Sequence, residues 1–131
     1  MDSKSKRDSV ADFFRLIGER RPKDGLKYFA ADCIQHNPYV KGGMDALVES
    51  MMAAMKDMPP QFTDPELKVR YILADGEFVV AYTQLLGSKR DPSKGGLRQV
   101  HLFRFNGDKI AEYWDVTQAI SADMPNPANA F

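Results

Sequence analysis

The spacing of apolar side chains changes once along the chain, from a helical period to a strand period. From Arg7 to Arg20, the residues Val10, Phe13, Phe14, Leu16 and Ile17 recur at helical spacing with charges between them. That pattern predicts an amphipathic helix. Asp8 or Ser9 is placed to cap its start, and residues 1–6 read as a frayed tail. Arg21-Pro22 ends the helix, because a residue before proline is pushed out of the α region. Pro22 suits the first turn of a second, short helix carrying Leu26, Tyr28 and Phe29. Residues 32–40 read as a short extended piece, and Gly42-Gly43 breaks the chain again. Met44 to Met58 predicts a third helix, with Leu47, Val48, Met51, Met52 and Met55 on one side. Pro59-Pro60 stops it.

After Pro65 the period shortens to two. Leu67, Val69 and Tyr71 alternate with charged residues, as in a half-buried strand. Asp75-Gly76 signals a turn, and Phe78 to Leu86 runs on as the partner strand. Gly87 to Gly96 is polar, Gly-rich and basic. It neither follows a Walker pattern nor opens a helix, so it reads as a solvated loop between strands. Leu97 to Phe105 and Ile110 to Gln118 form a last long hairpin, and residues 121–131 a tail. Helices followed by antiparallel strands predict one α+β domain spanning residues 1–131. A curled sheet with helices on one face has an open end that makes a pocket. The hairpin 97–118 is expected to line it.

The turn at Asn106-Gly107-Asp108 decides which hairpin residues share a face. A two-residue turn pairs Phe105 with Asp108 and sets His101 opposite Glu112. A three-residue loop pairs Phe105 with Lys109 and sets His101 opposite Tyr113, with Gln99 opposite Asp115. The second reading is preferred. It gathers Leu97, Gln99, His101, Phe103, Phe105, Ala111, Tyr113, Asp115 and Thr117 on one face, and Arg98, Arg104, Glu112 and Trp114 on the other.

Composition narrows the function classes. Lys+Arg and Asp+Glu are equal at 18 each, so the basic excess or stripe of a nucleic-acid binder is missing. The single cysteine, Cys33, rules out an internal disulfide and suits a reducing, cytoplasmic setting. The charged start, Met1 to Asp8, has no apolar core, which predicts no signal peptide. No run approaches the roughly 18 apolar residues of a membrane span.

Three pieces of the chain carry a family likeness. They are Phe29 to Pro38, with its Gln35-His36-Asn37-Pro38; Gly42-Gly43; and Val100 to Gln118, with its Glu112-x-Trp114-Asp115-Val116-x-Gln118. Together with an ending that runs through Asn-Pro to Phe131, they resemble the SnoaL-like branch of the NTF2-like superfamily. The resemblance implies a cone: three N-terminal helices packed in a strongly curved antiparallel sheet around a deep pocket. It also implies a homodimer packed sheet to sheet, here through the Trp114 side. SnoaL-type polyketide cyclases look to use a strand aspartate as acid/base, but this chain has no acid from Leu97 to Phe105. In the similar ketosteroid isomerases, a protonated aspartate stands where His101 stands here. Their base precedes a proline, a place matched by Asn37, and their helix-1 tyrosine falls near Phe13. Fold likeness alone does not establish activity.

The candidate chemistry follows from the polar set on the hairpin. His101 and Asp115 are the expected proton-handling pair, with Asp115 setting the imidazole tautomer. Tyr113 is a donor to a carbonyl oxygen. His36, Asn37, Gln99, Phe103 and Phe13 complete the expected ligand-binding set. His36, His101 and Asp115 would make a two-His-one-carboxylate metal set, but their spacing carries no metal signature, so neither metal nor cofactor is expected. Three functions compete: a cofactor-free lyase, isomerase or aldol-type cyclase acting on a small apolar carbonyl compound; a non-catalytic ligand-binding or dimeric accessory domain; and a protein adaptor using the outer sheet face around Trp114.

Overall fold

The computed structural model describes residues 1–60, 62–126 and 130–131. Helix α1 (Ser3–Gly18) begins earlier than its apolar pattern suggests. The Asp2 carboxylate accepts from the Ser5 backbone N–H at 2.8 Å, which satisfies one of the helix's free donors. Residues 3–6 are therefore helical, and Ser9, once a candidate cap, is buried within the helix. Val10, Phe13, Phe14 and Leu16 face inward. The helix closes in a Schellman turn. Arg20 N–H donates to Ile17 O at 2.9 Å and Arg21 N–H to Leu16 O at 2.8 Å. Arg20 takes the left-handed residue of that turn, with φ 61°.

A 3₁₀ helix follows at Pro22–Tyr28, and Phe29 belongs to strand β1 (Phe29–Gln35) rather than to that helix. A Cβ at Gly25 would lie 2.6 Å from Phe13 Cδ1, so the small residue lets this segment close on α1. Helix α2 is Met44–Lys56; strands β2, β3, β4 and β5 are Glu66–Asp75, Phe78–Leu86, Gly96–Asn106 and Lys109–Ile120. The sheet order is β1-β5-β4-β3-β2. The piece expected only to be extended is an edge strand, and β1 runs parallel to β5. The sheet is thus mixed, while its other three junctions are antiparallel as expected. Two helices, a 3₁₀ turn and a curved, unclosed sheet make the α+β cone.

The core lies between α1 and the inner sheet face. Phe13 and Phe14 pack on Phe29, Val79, Ala81, Phe103, Phe105, Ile110 and Tyr113. Phe13 meets Phe29 and Phe103 edge-on, with centroids 5.0 and 6.3 Å apart. Each buried aromatic of this kind contributes roughly 1.5–3 kcal/mol by leaving water. At the other end of the sheet, Gly95 and Gly96 bring β4 tight against its neighbours. A Cβ at Gly96 would lie 2.0 Å from Leu85 O, and one at Gly95 2.2 Å from Ile120 O.

The last hairpin corrects both turn readings. Asn106 pairs with Lys109 around a two-residue Gly107-Asp108 turn, and Phe105 pairs with Ile110. A bulge between Arg104 and Phe105 then shifts the ladder by one, so that Arg104 pairs with Glu112, Phe103 with Tyr113 and His101 with Asp115. The register differs by two residues from the preferred reading. A shift of two keeps side chains on their faces. Only the bulge breaks that rule: Ile110, not Ala111, is the fully buried residue.

Candidate functional site

Between the inner sheet face and the two helices lies a cavity of about 460 Å³. That is within the usual range for small-molecule sites, roughly 300–1,000 Å³. Its apolar side comes from the α2 stripe and the segment after it: Leu47, Met51, Met55 and Met58. Methionines are unbranched and polarizable, so such a wall adapts to an apolar ligand. The opposite wall is polar and comes from β4, β5 and the loop after β1: Gln99, His101, Tyr113, Asp115, Thr117 and Asn37.

Strand alternation puts β4 and β5 side chains on this wall, and the ladder links them. His101 is buried, at 4% exposure. Its Nδ1 lies 2.7 Å from the Tyr113 hydroxyl and its Nε2 lies 3.0 Å from Thr83 Oγ1. Both ring nitrogens are thus engaged by protein hydroxyls. Burial holds the imidazole's pKa down, to about 3. His101 is therefore a neutral, doubly bonded member of the network at ordinary pH. The Tyr113 phenol is pushed well above its ordinary range, first by burial and then by the neighbouring Asp115 charge. The expected pairing of His101 with Asp115 runs through Tyr113: the two are opposite in the ladder, but the ring bonds the tyrosine hydroxyl.

Asp115 is held from the other side by Asn37, whose Nδ2 donates to Oδ2 at 3.1 Å. The loop that delivers Asn37 is fixed by the buried Gln35. The Gln35 amide donates to Val40 O and Gly42 O at 2.8 and 3.0 Å, and its oxygen accepts from Asn37 N–H at 2.7 Å. Asn37 Oδ1 in turn accepts from Tyr39 N–H at 2.9 Å, an Asx turn. With its oxygen committed to a backbone donor, the amide NH2 is the end that reaches the carboxylate.

The intervening His36 points the other way. Its ring stacks on Trp114 at 4.7 Å, and its Nε2 lies 2.7 Å from Glu112 Oε2. Glu112 also accepts from Arg104 Nε at 3.0 Å. These contacts hold the Glu112 carboxyl below its usual pKa, His36 contributing most. His36 is therefore on the outer sheet face and does not join the expected ligand-binding set in the cavity lining. Phe13 and Phe103, both fully buried, belong to the core and do not line the cavity. Asn37, Gln99, His101, Tyr113 and Asp115 do line it.

Thr83 was missed by the sequence reading. The signal was the alternation Val79-Ala81-Thr83, which puts a hydroxyl on the inner face of β3. With His36 turned away, His36, His101 and Asp115 do not converge. Among the described residues there is no cluster of three His, Cys, Asp or Glu side chains placed to hold a metal ion. Cys33 is buried, and burial pushes its thiol up to about 11, far from a reactive thiolate. Among the described residues, no helix is long and apolar enough to cross a membrane.

Comparison with known proteins gives the following. The family model for a SnoaL-like domain matches residues 10–113. No curated protein sequence matches the chain. Among solved structures, the chain is similar to AclR from Streptomyces galilaeus, a provisionally assigned hydroxylase. The identity is 17%, the TM-score 0.70, and 89% of this chain and 91% of that chain are covered. It is similar to TsrD from Streptomyces laurentii, at 17% identity, TM-score 0.68, with 90% and 91% covered. A provisionally assigned ketosteroid isomerase from Kribbella flavida is also similar, at 16% identity, TM-score 0.67, with 99% and 90% covered. At such identities the likeness is one of fold.

Proposed function

The chain belongs to the SnoaL-like domain family, and on that footing we propose that it binds a compact, mostly apolar carbonyl compound and moves a proton on it without a cofactor. One observation supports this reading above the others. A chain of hydrogen-bonded groups, Thr83–His101–Tyr113, reaches Asp115 and Asn37 on one wall of an otherwise apolar cavity.

The roles differ from those first expected. Asp115 is the base: its carboxylate takes a proton from the carbon next to the carbonyl and returns it to another atom of the product. Tyr113 donates its hydroxyl hydrogen to the carbonyl oxygen as negative charge gathers there. His101 is a positioning residue. In the tautomer with the proton on Nδ1, it donates to the Tyr113 oxygen and accepts from Thr83 at Nε2, so that the tyrosine hydrogen faces Asp115 and turns from it to the ligand's carbonyl oxygen. Asn37 orients the Asp115 carboxylate. Isomerase, lyase and aldol-type cyclase chemistry all share this first step.

The test is hydrogen–deuterium exchange at the α-carbon of 2-tetralone, a bicyclic apolar ketone, followed by NMR in D2O. The protein is expected to speed exchange above buffer, and Asp115→Asn to lower that rate at least about 100-fold. Equal exchange by the wild type and Asp115→Asn would sink the assignment.

The satisfied state of His101 favours a second reading, a non-catalytic ligand-binding domain. In that case 2-tetralone binds and no exchange is catalysed. Ala130 and Phe131 do not fill the cavity: their carbonyl oxygens accept from Arg98 and Gln84 on the outer face.

We also propose that the domain is a homodimer through that outer face. Tyr71, Leu73, Val100 and Val116 are exposed there, Val116 at 69%. Contiguous apolar surface of this kind marks an interaction site. Sedimentation should give a dimer, and Val116→Arg should shift it to monomer. A wild-type monomer refutes the proposal and favours the adaptor reading around Trp114.

A further inference from the structure

Arg20 stands where the fold would take glycine. It is the left-handed residue of the Schellman turn that ends α1, with φ 61°. Glycine dominates that position because a Cβ there is strained. Any L-residue other than glycine costs stability at such a site, and a non-glycine outlier of this kind is a pointer to function. The left-handed backbone also fixes the direction in which the side chain leaves the turn.

That side chain is exposed and lies at the open edge of the cavity lining. Among the described residues lining it, Arg20 is the one strongly basic side chain and Asp115 the one acid. Its sequence neighbours are paired with carboxylates: Arg15 with Asp12 and Glu19, Arg21 with Glu19 and Asp24. Arg20 has no such partner among the described residues. Its guanidinium donates to Met55 O at 3.3 Å, near the end of α2. One long contact leaves most of its five N–H donors free. A guanidinium with free donors, beside the methionine wall, suits a carboxylate held by two parallel hydrogen bonds.

We propose that Arg20 is the anion-reading residue of the cavity, selecting ligands that carry a carboxylate at one end of an apolar, carbonyl-bearing body. The methionine wall takes the body, and the Tyr113–Asp115 wall takes the carbonyl. The inference rests on the reading of the cavity as a ligand site, and it does not require that Asp115 perform catalysis.

The experiment is calorimetric titration with two matched probes, 4-(2-naphthyl)-4-oxobutanoate and its methyl ester. The wild type is expected to bind the carboxylate about tenfold more tightly or better, the gain of one charge-assisted pair. Arg20→Gly should abolish that preference while its unfolding temperature stays level or rises by a few degrees, about 2–5 °C, as strain is removed. Arg20→Gln, which keeps a long side chain without the charge, should also lose the preference. A purely structural Arg20, capping α2 through Met55 O, would instead lower the unfolding temperature of Arg20→Gly and leave the preference in place. Equal binding of the two probes by the wild type overturns the proposal. So does binding of neither probe, or a preference that survives in both variants. Asp115→Asn separates the two readings: it should lose ketone exchange and keep the carboxylate preference.

Discussion

His101 sits directly opposite Asp115 across the β4–β5 ladder, yet its imidazole bonds Tyr113, two residues earlier on β5. The inward side chains of an antiparallel pair reach diagonal neighbours as well as direct ones, and a tyrosine hydroxyl spans that gap. The consequence is a relay in which Tyr113 stands between the histidine and the carboxylate. On the function proposed above, proton chemistry belongs to Asp115 and Tyr113, and His101 sets the direction of the tyrosine hydrogen.

The neutral state of His101 contributes to the acid side of the stability curve. Its pKa in the folded protein is about 3, against an ordinary value of 6.5. Between those values the unfolded chain binds the proton and the folded one does not, so stability rises with pH through that window. Read downward, stability starts to fall as pH drops below about 6.5 and the loss saturates near 3. The slope from this one group is about 1.4 kcal/mol per pH unit, or roughly 2 kcal/mol between pH 6.5 and 5. Urea unfolding at pH 7 and pH 5 should show this loss in the wild type and a smaller one in His101→Gln. Parallel losses in both proteins would mean that His101 is charged in the fold.

Tyr113→Phe should separate the relay from the core. The ring is fully buried and packs 5.1 Å from Phe103, so phenylalanine keeps the packing. Loss of the hydroxyl strips His101 Nδ1 of its partner. A buried polar group left without its bond costs about 1–3 kcal/mol. Exchange of 2-tetralone should fall by roughly 10–100-fold, because the carbonyl oxygen loses its donor. Thr83→Val removes the other partner of the ring. It should cost a similar amount of stability but leave measurable exchange, since Thr83 touches no ligand. Full exchange in Tyr113→Phe would remove the tyrosine from the mechanism.

The sequence shows some of this architecture and hides the rest for physical reasons. Period-two alternation grouped Gln99 with His101 and Tyr113 with Asp115, and the preferred three-residue turn joined the two pairs on one face; the observed register differs by two residues, which leaves that face unchanged. The register itself was illegible. A single-residue bulge beside Arg104 moves every partner after it, and no composition signal marks that bulge. His36 is counted in the expected ligand-binding set, but the strand period says otherwise. Alternation through Gln35-His36-Asn37 turns Gln35 and Asn37 inward and His36 out onto Trp114. Phe13 was credited to the pocket by family likeness. Its helical spacing with Val10 and Phe14 says core, and the spacing was the better guide.

Gly96→Ala should test how tightly β4 is seated. A Cβ there would meet Leu85 O at 2.0 Å, and φ is 157°. The obstacle is backbone, which cannot swing aside as a side-chain end does. The Gly96 backbone pairs with both Leu86 and Ile120, so neither neighbour is free to shift alone. The variant should lose about 3 kcal/mol or more, or fail to accumulate as folded protein. Gly107→Ala is the control: φ is 65° but nothing lies within 4 Å of the added Cβ, so its loss should stay near 1 kcal/mol. Thermal unfolding of the pair side by side gives the comparison, and equal losses would contradict the close approach at Gly96.

Phe13→Ala distinguishes a core residue from a ligand contact. Phe13 is wholly buried, edge-on to Phe29 and Phe103, with Gly25 against its ring. Deleting a buried aromatic ring costs about 3–5 kcal/mol, through lost transfer energy and the cavity left behind. Phe14 is different: it also lines the ligand cavity and stacks edge-on to His101 at 4.8 Å. Phe14→Leu should therefore change ligand affinity with a modest loss of stability, whereas Phe13→Leu should lose stability and leave affinity unchanged. Unfolding in urea and calorimetric titration with 4-(2-naphthyl)-4-oxobutanoate, run on both leucine variants, read the two effects separately. If Phe13→Leu weakened binding while Phe14→Leu did not, the cavity wall would have to be redrawn around helix α1, with Phe13 returned to the ligand side where the family likeness first put it.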